Sequence, residues 1–202
     1  MNLSQAVDAR RSVRAFANQP VPRAAVDRAI ELAVQAPAPH HSAPWRFALI
    51  SDPKRKAEVS RAMGAAWETD LRADGLDADR IASILARSHE LLTGTPLLTI
   101  CCADMSRAHT YGDERRSRAE WSLFAHAVGA ALQTFMLSLA ADGIASCWIS
   151  APVFCGADVQ RSLELPDTVE PHALVLVGYA SPDYVPRPRP TATADEFVVA
   201  DW

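Results

Sequence analysis

The segment from Ser117 to Ala141 constrains the fold of this chain most strongly. After Glu120 it contains no Lys, Arg, Asp or Glu, and its large apolar residues fall on every face of a helix. A helix that is apolar all round is expected to be buried on all sides. A chain of 202 residues can hardly wrap such a helix completely, so we expect part of it to pack against a second copy of the chain. A helix buried wholly within one chain is the alternative.

The remaining pattern predicts strands separated by helices. Continuous apolar runs at Pro96–Ala103 and His172–Tyr179 indicate strands covered on both faces, and shorter strands are predicted at Trp45–Ser51 and Ile144–Ser150. Helices are predicted at 2–10 with Ser4 as a cap, 22–36, 53–70, 77–92, 117–141 and 157–163. This order predicts an α+β fold with a small sheet of about four strands inside a helical shell.

Length and composition favour one domain over residues 1–202, because 202 residues with 49% hydrophobic content can form one substantial core. The proline-rich stretch Pro182–Pro190 is typical of an extended arm, which we expect to run from about 182 to 202. No apolar run is interpreted as a membrane span, and the N-terminal residues lack the apolar core of a signal peptide. The sequence therefore predicts a cytoplasmic protein.

The charge balance limits the partners. A net charge of -4 argues against a general nucleic-acid or membrane-surface binder. The four cysteines have no C-x-x-C spacing, which favours reduced thiols over a metal site or a disulfide framework. The expected partner is a small molecule.

A concentrated basic motif stands near the N-terminus. Arg10, Arg11 and Arg14 surround the hydroxyl of Ser12, and the planar guanidinium group fits phosphate oxygens with two parallel hydrogen bonds. A solvated basic turn is the alternative. On an acidic chain, the motif indicates a local site for a small anion.

A stiff polar loop, Ala36–Trp45, precedes the first predicted strand. Its prolines restrict the backbone around Pro39, His40, His41 and Ser42. This loop could hydrogen-bond a planar ligand or simply lie at the surface. We predict no metal there, because adjacent histidines point apart and no nearby Cys or carboxylate completes a ligand set.

Four motifs, in order along the chain, resemble those of the FMN-dependent nitroreductase family. They are Arg10-Arg-Ser-Val-Arg14-x-Phe16, Pro37-x-x-x-His41-Ser42-x-Pro44-Trp45, Gly143-Ile-Ala-Ser-Cys-Trp148 and Arg187-x-Arg189. The loop at 36–42, together with Trp67-x-x-Asp70-Leu-x-x-Asp-Gly75, is also similar to the C-terminal flavin domain of coenzyme F420-0:gamma-glutamyl ligase. The ligase domain itself has no counterpart here.

The resemblance implies an FMN site. Arg10, Arg187 and Arg189 would hold the phosphate, Ser12 would contact the phosphate or ribityl chain, and Arg11 and Arg14 would lie nearer the isoalloxazine ring. His41 and Ser42 would meet the pyrimidine edge of the ring, and Pro39 and His40 of the same loop would also belong to the cofactor site. A turn would run along the N5 side of the ring, and it consists of Ser150, Ala151, Pro152 and Val153.

The resemblance also implies the chemistry. No catalytic side chain is assigned, because the flavin performs the redox step and the protein positions it. Hydride would pass from NADH, NADPH or a reduced deazaflavin to an electron-poor molecule such as a nitroarene, quinone, enone or dehydro-F420 precursor. The long helix would lie at a homodimer interface that includes the flavin site. A non-catalytic FMN or deazaflavin binder and a flavin-destructase-like enzyme are the alternatives.

Overall fold

The computed structural model describes residues 1–200 and residue 202, and it confirms the predicted α+β fold. In chain order the helices and strands are α1 (Leu3–Ala9), α2 (Arg23–Ala33), β1 (Trp45–Ile50), α3 (Pro53–Ala73), α4 (Ala78–Gly94), β2 (Leu97–Asp104), α5 (Glu114–Ala141), β3 (Ala145–Ile149), α6 (Gly156–Ser162) and β4 (Val169–Gly178). The predicted arm begins after β4 and is largely exposed. Its residue 201 lies outside the described residues.

The four strands form one antiparallel sheet in the order β1-β2-β4-β3. The central pair aligns Thr99 with Val175, and the register shifts between Cys101 and Cys102. Strands β1 and β3 are therefore the two edges of this sheet. Every neighbouring pair is antiparallel.

The central strands are apolar throughout because helices cover both faces of the sheet. Along β4, Ala173, Val175 and Val177 pack with α2 and α5, whereas Leu174 and Leu176 pack on the other side with residues of α3, α4 and α6. Successive side chains of a strand point to opposite faces. A continuous apolar run is thus the pattern required for a sheet between two helical layers.

Local capping interactions account for the places where predicted helix boundaries were wrong. Asn2, rather than Ser4, caps α1. Its side-chain oxygen accepts a hydrogen bond from the amide of Gln5, and the Asn2 amide donates to the side-chain oxygen of Gln5. Helix α5 begins at Glu114 rather than at Ser117, because the carboxylate of Asp113 accepts from the amide of Arg116. Helix α2 ends at Ala33, before the residues predicted to extend it to 36.

Within one chain, helix α5 is only partly buried, as expected for a helix that a chain of this length cannot wrap completely. Its residues Phe124 and Phe135 are fully buried, but Trp121 and Leu123 are 38% and 44% exposed. By length and composition alone, α5 is long and apolar enough to cross a membrane, whereas the sequence analysis interpreted no apolar run as a membrane span. Half of the most apolar part of α5 is buried inside the protein. Core helices of soluble proteins share this property, and α5 packs on the sheet as such a helix does.

The two edges of the sheet separate the two predicted halves of the flavin site. Ser12 forms a parallel bridge with Ser146 of β3, whereas the loop containing the histidines leads directly into β1 at Trp45. The indole nitrogen of Trp45 donates to the carbonyl of Ala127 in α5 over 2.9 Å and fixes the start of β1. Three strand spacings of about 4.8 Å place these edges roughly 14 Å apart.

The end of β4 offers a test of packing. A Cβ atom on Gly178 would lie 2.8 Å from Cδ1 of Phe16 and 3.0 Å from Cδ and Cγ of Pro96. We expect Gly178→Ala to lower the free energy of unfolding by about 1–3 kcal/mol, since overpacking displaces neighbouring side chains. Denaturant titration measures this. The control Gly94→Ala, where a Cβ would meet nothing within 4 Å, should not destabilise the protein; equal losses in both variants would contradict the packing argument.

A buried histidine in β4 links stability to pH. His172 stacks on Trp121 with ring centroids 5.2 Å apart, and burial lowers the pKa of His172, while the charge of Glu170 opposes the shift. The unfolded chain therefore binds a proton near pH 6.5 that the folded chain takes up only at lower pH, so folding stability falls as the pH drops below about 6.5. We expect His172→Phe, which keeps an aromatic ring, to reduce the loss of unfolding free energy between about pH 7.5 and pH 5.5. The exposed residue His126 provides the control His126→Phe, which should retain the full loss.

Candidate functional site

The basic motif is held against β3 by the backbone. The amide of Val13 donates to the carbonyl of Ser146 over 3.0 Å, and the Val13 side chain is buried. Because side chains alternate along an extended segment, burial of Val13 leaves Ser12 and Arg14 exposed on the opposite side. The motif is thus fixed along the β3 edge of the sheet, and the side chains of Ser12 and Arg14 face outward.

The two ends of the chain meet through Arg189. Its guanidinium donates to the carbonyl of Val7 over 2.9 Å and also to the carbonyl of Arg10. These carbonyls belong to the C-terminal end of α1, where a cation is favourable. The C-terminal arm is therefore docked on the N-terminal helix.

This docking creates a cavity of about 440 Å³ between the basic motif and the arm. Three arginines line it, Arg11 and Arg14 from the motif and Arg187 from the arm, together with Ser12 and Tyr184. No carboxylate belongs to the lining within the described residues. A cavity with three guanidinium groups, hydroxyls and no negative charge is suited to an anion. We call it the anion cavity.

Arg10 lies beside this cluster rather than in the lining of that cavity. It borders a second cavity of about 330 Å³, which it shares with Arg11 and Ser146. Burial, and then the charges of Arg189 and Arg11, hold the pKa of Arg10 below its usual value. The cations are thus close enough to repel one another, and a bound anion would relieve that repulsion.

A larger pocket of about 840 Å³ adjoins the anion cavity, and Arg14 lines both. Its walls come mainly from α3, α4 and the turn after β3. They are predominantly apolar, with Asp70, Arg87 and Arg14 as charged members; the apolar side chains include Met63, Ala66, Trp67, Ile84, Leu91, Leu92, Ile149 and Phe154. Trp67 is therefore a partly exposed pocket wall rather than a core residue.

The turn after β3 reaches this pocket with one of its four predicted members. Ala151 lines the pocket, whereas Pro152 and Val153 line a separate cavity with Trp121 and His172. Ser150 precedes the 3-10 turn, and its carbonyl accepts from the amide of Val153. The predicted flavin contacts of this turn stay predictions.

The histidine loop lies elsewhere. Within the described residues, Pro39, His40, His41 and Ser42 line none of the cavities that contain the arginines. Ser42 is buried and its hydroxyl has no hydrogen-bond partner in the described part of the chain. Within a single chain, the basic motif, the arm and Ala151 therefore line adjoining cavities, whereas the histidine loop lies apart from them.

Sequence reasoning missed two polar residues that the loop contacts. His40 lies against Glu120 of α5, with Nε2 within 3.3 Å of a carboxylate oxygen, and it stacks on His109. Burial alone would raise the pKa of Glu120, but the hydrogen bond from the His109 amide and the His40 ring hold it below its usual value. Glu120 is the last charged residue before the long uncharged part of α5, and this position was the available signal.

Comparisons with known proteins agree with this architecture. The family model described as the Nitroreductase family matches residues 7–179. The iodotyrosine deiodinase of Haliscomenobacter hydrossis is 33% identical over 85 residues, which cover 36% of this chain and 38% of that protein. The chain spans between 26% and 53% of the length of the first curated relatives that it matches.

Solved structures match over the whole chain. A BluB-like flavoprotein from Clostridium difficile 630 superposes with a TM-score of 0.80 at 19% identity, and 100% of each chain is covered. The FMN and NADPH-dependent nitroreductase NfnB from Sphigopyxis sp. strain HMH has a TM-score of 0.70 and 25% identity, with 100% of this chain and 99% of that chain covered.

The docked arm provides a test of the cavity's construction. We expect Arg189→Ala to release the arm from α1, because two hydrogen bonds to helix-end carbonyls are lost. Amide hydrogen exchange over residues 182–190 should become faster, while exchange in β2 and β4 stays unchanged. The exposed Arg161, which pairs only with Asp158 in the described chain, gives the control Arg161→Ala. Unchanged exchange in the arm of the Arg189 variant would show that other contacts hold it.

Proposed function

Since this chain belongs to the nitroreductase family, we propose that it is an FMN-dependent oxidoreductase. It transfers hydride from NADH, NADPH or a reduced deazaflavin to an electron-poor small molecule. The observation that carries this proposal is the convergence of guanidinium groups from both ends of the chain on one cavity without a lining carboxylate. FMN provides a phosphate for such a cavity, and the NfnB nitroreductase is an FMN and NADPH-dependent relative.

The residues present fit the phosphate end of FMN. Arg187 and Arg11 line the anion cavity, so we assign them to the phosphate with Arg10 beside them. Arg189 already donates to two carbonyls, so its task is to hold the arm in place. When bound, FMN supplies the hydride chemistry. Arg14 lies where the anion cavity meets the large pocket, and there its charge would favour the reduced cofactor.

The large pocket supports an aromatic acceptor. Trp67 and Phe154 offer aromatic surface, while Asp70 and Arg87 offer groups of opposite charge. A volume of about 840 Å³ lies within the range of small-molecule sites. Nitroarenes fit these walls, and halogenated tyrosines are a second candidate because the H. hydrossis relative is an iodotyrosine deiodinase. Donor and acceptor would use this pocket in turn, and we therefore expect ping-pong kinetics.

A homodimer would complete the site. The loop with Pro39, His40, His41 and Ser42 lies at the β1 edge, while the arginines lie at the β3 edge. Helix α5 exposes Trp121 and Leu123, which a second copy could cover. We propose that the partner subunit supplies this loop to the flavin, that residues 1–202 act as one domain, and that the protein works in the cytoplasm.

The phosphate assignment predicts a selective loss. We expect Arg187→Ala to weaken FMN binding by about tenfold or more, because a charge-assisted bond to phosphate is lost, but to leave riboflavin binding almost unchanged. Fluorescence titration of both flavins measures the difference. Arg161→Ala is the matched control and should bind both flavins like the wild type. A wild-type protein that does not distinguish FMN from riboflavin would refute the phosphate site.

The acceptor pocket predicts a different effect. We expect Trp67→Ala to lower kcat/KM for a nitroarene by about tenfold, since aromatic contact contributes roughly 1–1.5 kcal/mol, while FMN affinity is retained. Anaerobic reduction of the bound flavin by NADH, NADPH and reduced F420 identifies the donor first. A nitroarene, a quinone and 3-iodo-L-tyrosine are then compared as acceptors. The exposed Leu32 of α2 provides the control Leu32→Ala.

The same assay separates the alternatives. Tight FMN binding without reduction by any donor would indicate a binding protein. Loss of FMN itself under air, without turnover of an acceptor, would indicate a destructase-like reaction. Either result would replace the proposed oxidoreductase function.

A further inference from the structure

Two imidazoles and a buried carboxylate meet where the histidine loop contacts α5. The ligand atoms of His40, His109 and Glu120 all lie within 4.8 Å of one another. His40 Nε2 is 3.2 Å from Oε1 and 3.3 Å from Oε2 of Glu120. The three residues come from three separate segments, so the fold, not sequence proximity, assembles the group. Their closeness therefore reflects tertiary packing.

These separations suit a small metal ion. Two ligand atoms that each lie about 2.0–2.1 Å from a tetrahedral zinc ion are about 3.3–3.4 Å apart. The distances from His40 Nε2 to the carboxylate oxygens of Glu120 are close to that value. The Tyr111 hydroxyl lies 3.5 Å from His109 Nδ1 and can orient that ring from outside the ligand group.

The charge distribution also favours a cation. Glu120 is only 4% exposed, and no Lys or Arg forms an ion pair with it among residues 1–200 and 202. Its described polar partners are the His40 ring and the amide of His109. The two imidazole rings stack with centroids 4.0 Å apart, so they repel each other if both carry a proton. A divalent ion would neutralise the carboxylate and leave both rings neutral.

The backbone of the loop is held in an unusual shape. His40, His41 and Ala43 have φ values of 53°, 53° and 45°, a region that residues other than Gly seldom adopt, although His does so more often than most. This shape brings His40 to Glu120 and leaves its ring 35% exposed. The buried carboxylate of Glu120 thus lies beneath the solvent-exposed rings of His40 and His109, and an ion could reach the carboxylate from solvent between them.

We propose that His40, His109 and Glu120 form a binding site for a divalent first-row transition metal, best suited to Zn²⁺. Two imidazoles and one carboxylate are a common zinc donor set that leaves a fourth position for water. The ion would join the 39–41 turn and the segment after β2 to α5. It would therefore stabilise the loop that precedes β1, which is the loop proposed above to reach the partner's flavin, while zinc binding itself requires no flavin. This differs from the sequence-based prediction, which considered only ligands near His40 in the chain.

The test measures zinc uptake by the full chain with any bound flavin retained. The protein is treated with a chelator, dialysed into metal-free buffer and titrated with zinc chloride by calorimetry. We expect about one equivalent per chain and a rise in Tm at saturating zinc, because binding only to the folded state stabilises it. Cobalt(II) should give the visible absorption bands of a four-coordinate site.

Two ligand variants and one matched control decide the outcome. Glu120→Gln removes the charge but keeps an acceptor for the His109 amide, and His40→Asn keeps a residue that tolerates positive φ. Each should weaken zinc binding by at least about tenfold and remove the rise in Tm. His126→Ala changes an exposed histidine of the same helix and should bind zinc like the wild type. If Glu120→Gln does not fold, His40→Asn still provides the test. No stoichiometric uptake by the wild type, or wild-type affinity in a folded ligand variant, would overturn the proposal.

Discussion

The structure depends on the burial of β2 and β4 on both faces. A strand whose successive side chains are all apolar can be stable only if helices remove both faces of the sheet from water. Helices α2 and α5 cover one face, and α3, α4 and α6 contribute to the cover of the other. The central strands therefore have little surface for a ligand, and the chemistry must lie at the sheet edges and among the loops.

This constraint explains why the polar groups fall into two clusters. At the β3 edge, Val13 secures the basic motif by its backbone bond to Ser146, and the arm adds Arg187 to the same cavity. At the β1 edge, the loop is fixed by Glu120 of α5 and by the bond from Trp45 to the carbonyl of Ala127. Each cluster is held by a rigid element, so each can keep its charges close despite their repulsion or desolvation.

Most of the fold could be predicted because its signals are local. The apolar runs of β2 and β4 and the caps near Pro53 and Asp77 are visible in a few consecutive residues. The basic motif was identified in the same way, and the structure places Arg11, Ser12, Arg14 and Arg187 around one cavity. The sequence predicted that one chain would leave part of α5 uncovered, but the meeting of His40 with Glu120 was not predictable, since it depends on which distant segments pack together. Those two residues are separated by 80 positions, and no periodicity reports such a contact.

The bonds from Arg189 to the α1 carbonyls join groups that are 182 and 179 positions apart. During synthesis, α1 and the basic motif leave the ribosome before the four strands, and the arm is made after them. The sheet can therefore form while the wall containing Arg187 is still absent. The anion cavity is therefore completed late in translation, because the sheet that supports one of its walls is made before the arm that supplies Arg187.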